Sequence, residues 1–321
     1  MTIEKFQKTI LDWWRDPRTR ASSVRGMLPW RNTRDPYKIL VSEIMLQQTQ
    51  VTRVIPKYEE FLKAFPTLEK LAKAPNKKLL KVWAGLGYWR RAKYLKEATK
   101  TILAARATNS QTSPRRRFGT VPAQRDKSPR AQTPKSRRDF EGRSFGISLP
   151  ERLETLPGVG PYTARALACF AFGNTEAFLD TNIRRVYLHF FFPKSKNVSD
   201  KKILKIAQRV IDSIRLRQGF GETREWHYAL FDYGATVLKD KTINKRSKHY
   251  HKQSKFEDSF RSFRTKAVRF ILENPKNKVS RETLRAFLKK ELKNSSYTPR
   301  EIIASLLKDN LIKKSKAHFL L

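Results

Sequence analysis

A single cysteine, Cys169, occurs in 321 residues. It lies in an apolar run, so disulfides, thiolate zinc sites and cysteine-ligated clusters are excluded. Acidic residues are also scarce: 29 Asp and Glu face 69 Lys and Arg, a formal charge of +40. A field of that sign and size draws polyanions, nucleic acid first, because each neutralised phosphate releases condensed counterion. An acidic membrane surface and plain solubility are the other readings of the charge. No apolar run approaches the ~18 residues of a spanning helix. The N-terminal MTIEKFQKTILDWW is a charged amphipathic helix pattern without a signal-peptide core. The expectation is a soluble, intracellular protein with no membrane partner. Its length suffices for one large core or two smaller ones.

What is present centres on residues 156–180, LPGVGPYTARALACFAFGNTEAFLD. Gly158 and Gly160 separate the end of one helical pattern from Pro161 at the start of the next, a tight turn opening on a helix N-terminus. Unsatisfied N–H groups and partial positive charge at such an end suit a phosphate oxygen. Asp180 precedes TNIRRVYLHFFF, so its plain role is a helix cap, and cap donors should lower its pKa. Upstream, Asp35 and Pro36 mark another helix start, and Leu40, Ile44, Val51, Ile55 and Tyr58 form one apolar stripe. Glu43 falls inside that stripe, where desolvation should raise its pKa toward that of a general acid. On helical position alone, a rim glutamate, or one satisfied by an N-terminal partner, is the plainer reading. Two carboxylates pushed in opposite directions form the acid and cation-stabiliser pair that glycosidic cleavage requires. The turn Gly85-Leu86-Gly87-Tyr88 projects a ring that either stacks on a base or packs on Trp83 or Trp89, packing being the plainer reading.

Periodicity disappears over residues 106–143, where eleven Lys and Arg face three acids. This composition predicts a disordered basic insertion, either tracking phosphates or acting as a solvated spacer. Residues 239–259 read as a basic linker whose two histidines, lacking acidic neighbours, make a poor metal site. Residues 260–321 read as three short helices and a terminal hairpin, a winged-helix-like domain. Its third helix carries Glu301 and Asp309 beside Arg300 and Lys308, a poor recognition helix by charge. DNA contact and a purely structural or partner-binding role both stay open for it.

Four segments, SEIMLQQTQV, GLGYW, LPGVGPYTARAL and LDTNIRRV, together resemble the MutY-type adenine DNA glycosylases of the helix-hairpin-helix/Gly-Pro-Asp superfamily. They occur in the order and spacing of that family over roughly residues 25–238, apart from the insertion. The resemblance implies an all-α, bilobal glycosylase core spanning residues 1–238. Residues 35–172 would form one lobe, and 1–25 with 180–238 the other. It implies Glu43 as the acid that protonates adenine at N7 and Asp180 as the stabiliser of the sugar oxocarbenium, directly or by transient capture at C1′. Tyr162 stands where endonuclease III-like relatives carry the lysine that forms a Schiff base and cuts the strand. A phenol cannot do this, which implies a monofunctional enzyme in which Tyr162 positions Glu43 or the intermediate. Asn182 would help hold the water and the carboxylate. By the same resemblance Trp30, Leu46 and Asp232 line the adenine pocket, Gln48 and Tyr88 enter the duplex, and Thr49 meets the opposite base. Gly158, Val159 and Gly160 would grip phosphate through backbone amides, with Na⁺ or K⁺ on the hairpin carbonyls.

Three departures stand out. The family's four cluster cysteines fall in register on Leu238, Lys245, Lys248 and Ser254, so no [4Fe–4S] cluster, and no other cofactor, is expected. The arginine usual four residues before the pocket tryptophan is replaced by Gly26, with Arg25 one step away. Nothing after Lys255 has the length or pattern of the Nudix-like domain that reads 8-oxoguanine. The expected partner is mismatched double-stranded DNA, bound by a monomer, in the nucleoid-containing cytoplasm of a prokaryote or the nucleus of a eukaryote. The expected substrate is adenine opposite 8-oxoguanine or guanine. Its rivals are thymine or uracil opposite guanine, and a non-catalytic DNA-binding protein on the same scaffold.

Overall fold

The structure, a computed structural model, describes residues 1–21, 28–111, 148–218, 222–252, 255–274 and 278–321. Helices make most of it: α1 (Ile3–Arg15), α2 (Pro17–Ala21), α3 (Pro36–Leu46), α4 (Val51–Ala64), α5 (Leu68–Lys73), α6 (Asn76–Trp83), α7 (Arg90–Gln111), α8 (Leu149–Glu154) and α9 (Pro161–Phe172). They continue as α10 (Thr181–Phe191), α11 (Asp200–Gln218), α12 (Glu222–Asp232), α13 (Phe260–Glu273), α14 (Arg281–Glu291) and α15 (Pro299–Lys308). Side-chain caps fix many of the starts. Asp35 accepts from the N–H groups of Tyr37 and Lys38 ahead of Pro36, and Ser148 and Thr298 each form a capping box with the glutamate three residues on.

Two expected patterns break in the structure. The stripe from Leu40 to Tyr58 is interrupted at residues 47–50, and Val51, 38% exposed, leaves the core. Helix α7 runs on to Gln111, so the first six residues of the expected insertion are helical; the rest lie outside the described residues.

Helix α9 packs on α3 and α8, α3 on α4 and α7, and α5 on α7. A second group forms around α10, which packs on α11 and α12, while α1 packs on α12. Phe6 pins α1 there, its ring 5.0 to 5.5 Å from those of Tyr187, Phe190, Phe191 and Trp226. The groups meet where α9 touches α12. Phe178, on the segment leading to α10, stacks on His227 of α12 at 4.1 Å. Burial pushes His227 down to about 4 and the Cys169 thiol up to about 12, so both behave as neutral core groups.

The stretch expected to be a linker is instead partly packed structure. Ile243 and Asn244, in the 3₁₀ turn Lys241–Arg246, are buried against α10, and Val198 bridges Ser247. Arg185 of α10 donates to the carbonyls of Gly234 (2.6 Å) and Leu238 (3.3 Å), tying this segment down. Gly234 has to be glycine, because a Cβ there would lie 2.5 Å from the Asn182 carbonyl oxygen. Of the cluster-register positions, Leu238 is buried and Lys245 and Lys248 are exposed. None of the four residues offers a thiolate, and the residues present do not fit a cysteine-ligated cluster.

The C-terminal unit packs α13, α14 and α15 together around Phe263, Ile271, Leu284, Leu288, Ile302 and Leu306. A three-stranded antiparallel sheet joins them, in the order β1 (Lys278–Ser280), β3 (His318–Leu320), β2 (Lys313–Lys314). The sequence suggested only the terminal hairpin; β1, three residues long, is too short for an alternation signal.

Candidate active site

Between the two groups of helices lies a cleft of about 800 Å³. Glu43, Asp180, Tyr162 and Asn182 line it together, with Trp30, Leu46, Gln48, Thr49 and Asp232. Residues 137 positions apart in the chain are brought to one cavity because α3, which carries Glu43, and the start of α10, which carries Asp180, both border the joint.

Glu43 sits in a helix whose residues Ile39 to Met45 are all buried. Burial raises its pKa from 4.5 to about 7, helped by the charge of Asp180, against a hydrogen bond from the Tyr162 hydroxyl and the attraction of Arg31. The glutamate is therefore a group that holds and releases a proton near neutrality. Asp180 caps α10: one carboxylate oxygen accepts from the Ile183 N–H at 2.6 Å and the other from Asn182 Nδ2 at 3.1 Å. Its pKa is nevertheless raised by burial, against those donors and Arg184 and Arg185. This corrects the lowering expected from capping alone: the cleft also desolvates the cap. The charged form of Asp180 retains fixed donors that Glu43 lacks, so of the pair Glu43 is the natural proton carrier. Tyr162, beside both acids, has its own pKa raised far by burial and remains a neutral donor.

Of the base-pocket residues, Trp30, Leu46 and Asp232 line the cleft. Trp30 is buried and packs edge-on to Tyr58 at 5.4 Å. Asp232 makes a two-pronged ion pair with Arg31, at 2.8 and 2.9 Å, and the Arg31 guanidinium lies 4.5 Å from the Tyr228 ring centre. Arg25 lies outside the described residues; the arginines lining the cleft among the described residues are Arg31, paired with Asp232, and Arg184. The sequence signal of Arg31 was its place beside Trp30 in the turn Pro29–Asn32.

The hairpin lies outside the cleft lining. Gly158 has φ +79° and a Cβ there would meet Tyr94 Cβ at 2.7 Å, so both conformation and space require glycine. The Val159 N–H donates to the Leu156 carbonyl at 3.1 Å, which corrects the expectation that all three hairpin amides face a phosphate. The Gly158 carbonyl, one of those implied for a monovalent cation, accepts from Gln47 Nε2 at 3.1 Å.

Tyr88 also stands apart from the cleft lining. It and Gln48, the two residues implied to enter DNA, both adopt left-handed φ, 45° and 54°. Such conformations in non-glycine residues cost on the order of 1 kcal/mol each and persist where surrounding structure enforces them. The enforcing residue is Arg91, which the sequence reading missed. Its buried guanidinium donates to the carbonyls of Ile44 (2.9 Å), Met45 (2.8 Å), Gln47 and Leu86 (3.0 Å), and to Thr49 Oγ1 (2.8 Å). It thus caps the C-terminus of α3 and fastens both loops at once. Replacing Arg91 by methionine strands these carbonyls; the expected loss is about 3 kcal/mol of folding stability, read by urea unfolding, with an unchanged urea slope.

A helical body with a glycine hairpin feeding one helix, and a cleft that Glu43 and Asp180 share, defines the helix-hairpin-helix class. The chain belongs to the HhH-GPD superfamily of base excision DNA repair proteins, whose family model matches residues 41–213. It is 32% identical over 237 residues to the adenine DNA glycosylase of Buchnera aphidicola, covering 74% of this chain and 54% of that one. The thymine/uracil-DNA glycosylase of Methanothermobacter thermautotrophicus is 27% identical over 235 residues, covering 72% and 84%. Among solved structures, a thermostable thymine-DNA glycosylase superposes with a TM-score of 0.51 at 25% identity, covering 74% of this chain and 88% of that one. The chain spans about half the length of the bacterial adenine glycosylases it matches.

Proposed function

We propose that this protein removes adenine mispaired with 8-oxoguanine or guanine from double-stranded DNA, by hydrolysis of the N-glycosidic bond and without cutting the strand. The observation that carries this reading is Glu43, bonded to Tyr162 and held near neutral pKa in the same cleft as Asp180. An adenine within a duplex is out of reach, so the nucleotide is turned out into the cleft. Glu43 gives its proton to N7, the N9–C1′ electron pair leaves with the base, and the Asp180 carboxylate faces the cationic sugar. Water adds to C1′ and its proton passes to Glu43, leaving free adenine and an abasic site. The Asp232 and Arg31 pair sets an acceptor beside a donor, complementary to the N6 amine and N1 of adenine. Tyr162 offers no amine to open the sugar, so strand scission awaits alkali.

A second reading, excision of thymine or uracil opposite guanine, is favoured by the thymine/uracil-DNA glycosylase relative, 84% of whose length the match covers. Protonation at N7 has no counterpart in a pyrimidine, which favours adenine. Single-turnover assays on duplexes bearing A·8-oxoG, A·G, T·G and U·G, each with and without hot alkali, decide between them. Alkali-dependent breakage of the adenine strands alone is expected. Breakage at T·G transfers the assignment to the second reading, and no breakage in any duplex refutes both.

A further inference from the structure

The C-terminal unit is seated on the start of α7. Asp309, at the end of α15, is shared by Arg264 and Arg90 (3.3 Å), and Lys93 donates to the Asn310 carbonyl. Arg261, in the first turn of α13, donates to the Tyr88 hydroxyl. Its guanidinium lies 5.4 Å from the Tyr88 ring centre and 6.0 Å from that of Phe256, a ring 50% exposed. Arg91 covers Tyr88 as well, at 5.2 Å, while holding Thr49. A guanidinium beside two aromatic rings, one of them Tyr88 in the turn after Gly85, forms a polar and stacking cluster that is not part of the acid-lined cleft. The acids that made this unit look ill-suited to DNA are committed elsewhere: Glu301 accepts from Thr298 in its capping box, and Asp309 is paired with two arginines.

Turning a nucleotide out leaves its partner in the stack with an unpaired edge, which costs free energy until donors and acceptors meet it. We propose that Arg261, flanked by Tyr88 and Phe256, is a specificity-determining residue that reads this orphaned base and favours a purine with a carbonyl at position 6. The inference rests on the proposed function and on the placement of Gln48 and Tyr88 in the duplex that the resemblance implies. A guanidinium only donates: it complements the O6 of guanine, 8-oxoguanine or inosine, and opposes the amine that adenine or cytosine presents there. The two rings supply stacking that is indifferent to base identity, so selectivity falls to the arginine.

The test uses the full chain and duplexes carrying a tetrahydrofuran abasic analogue opposite G, 8-oxoG, inosine, A or C, with dissociation constants measured for wild type, Arg261→Gln and Arg261→Lys. Wild type is expected to bind the three 6-carbonyl duplexes about tenfold or more tighter than the other two. R261Q should lose that contrast by weakening only the first three, and R261K, which keeps charge but not the fork, should retain part of it. Equal binding to all five duplexes by wild type, or a uniform loss in R261Q, overturns the proposal and leaves Arg261 a phosphate contact or a brace for the unit. Because the target position holds no base, the outcome is independent of which base is excised. If wild type releases no adenine in the separate excision assay, the functional reading fails while this contrast still decides the role of Arg261.

Discussion

Glu43→Gln is expected to abolish most excision while making the protein more stable. Glutamine fills the same space and can still accept from Tyr162, but it has no proton to give N7, a loss of about 10²- to 10⁴-fold in single-turnover rate. The stability effect has the opposite sign. The folded carboxyl titrates at about 7 rather than 4.5, so above 4.5 the unfolded chain gives up a proton that the folded chain keeps. Folding stability attributable to this group therefore falls as pH rises from 4.5 to about 7 and stays low beyond, by roughly 3 kcal/mol. E43Q removes that cost: at pH 8 its urea midpoint should exceed that of the wild type, and at pH 4.5 the two should nearly coincide. Equal midpoints at both pH values would mean that Glu43 is not desolvated as described.

Asp180→Asn separates charge from structure. Asparagine caps helices about as well as aspartate, and its carbonyl oxygen can still accept from the Ile183 N–H, so α10 should stay intact; because burial raises the Asp180 pKa, the variant should melt no lower than wild type at neutral pH. What disappears is the negative charge facing the sugar cation. Removing one such preorganised electrostatic contact costs about 10²- to 10³-fold in rate. Binding to an abasic-analogue duplex should change little, which distinguishes lost chemistry from lost recognition. A variant that excises as fast as wild type would show that the sugar cation is stabilised by something else.

The parts of this molecule that sequence made legible are those set by local rules. Caps at Asp35 and Asp180 and the glycine hairpin follow from backbone chemistry within a few residues, and these features stand where the spacing put them. The four motifs in register brought Glu43, Tyr162 and Asp180 together, and the cleft contains all three. What escaped was set by distant contact. Arg91 reads as one more helical cation in a chain full of them, and only the fold shows carbonyls from two loops converging on it. Arg31 reads as one more basic residue beside Trp30, and only the fold shows it paired with Asp232. The pKa of Asp180 depends on how deeply the cleft buries a cap, which no spacing encodes. The packing of residues 239–252 was masked by their basic composition, although Ile243, Asn244 and Ser247 are buried there and Val198 bridges Ser247.

The account stands on a proton carried by one buried carboxyl in the cleft. The most direct test is the second-order rate constant for adenine release at sub-saturating enzyme, followed from pH 5.5 to 8.5 for wild type and E43Q on an A·8-oxoG duplex. Under these conditions the profile reports the free enzyme, and duplex binding is measured in parallel. The wild-type constant should fall as pH rises past about 7, approaching tenfold per pH unit, while the small residual rate of E43Q stays level. A wild-type profile flat across that range, or an E43Q variant that follows the wild type in size and shape, would contradict the account.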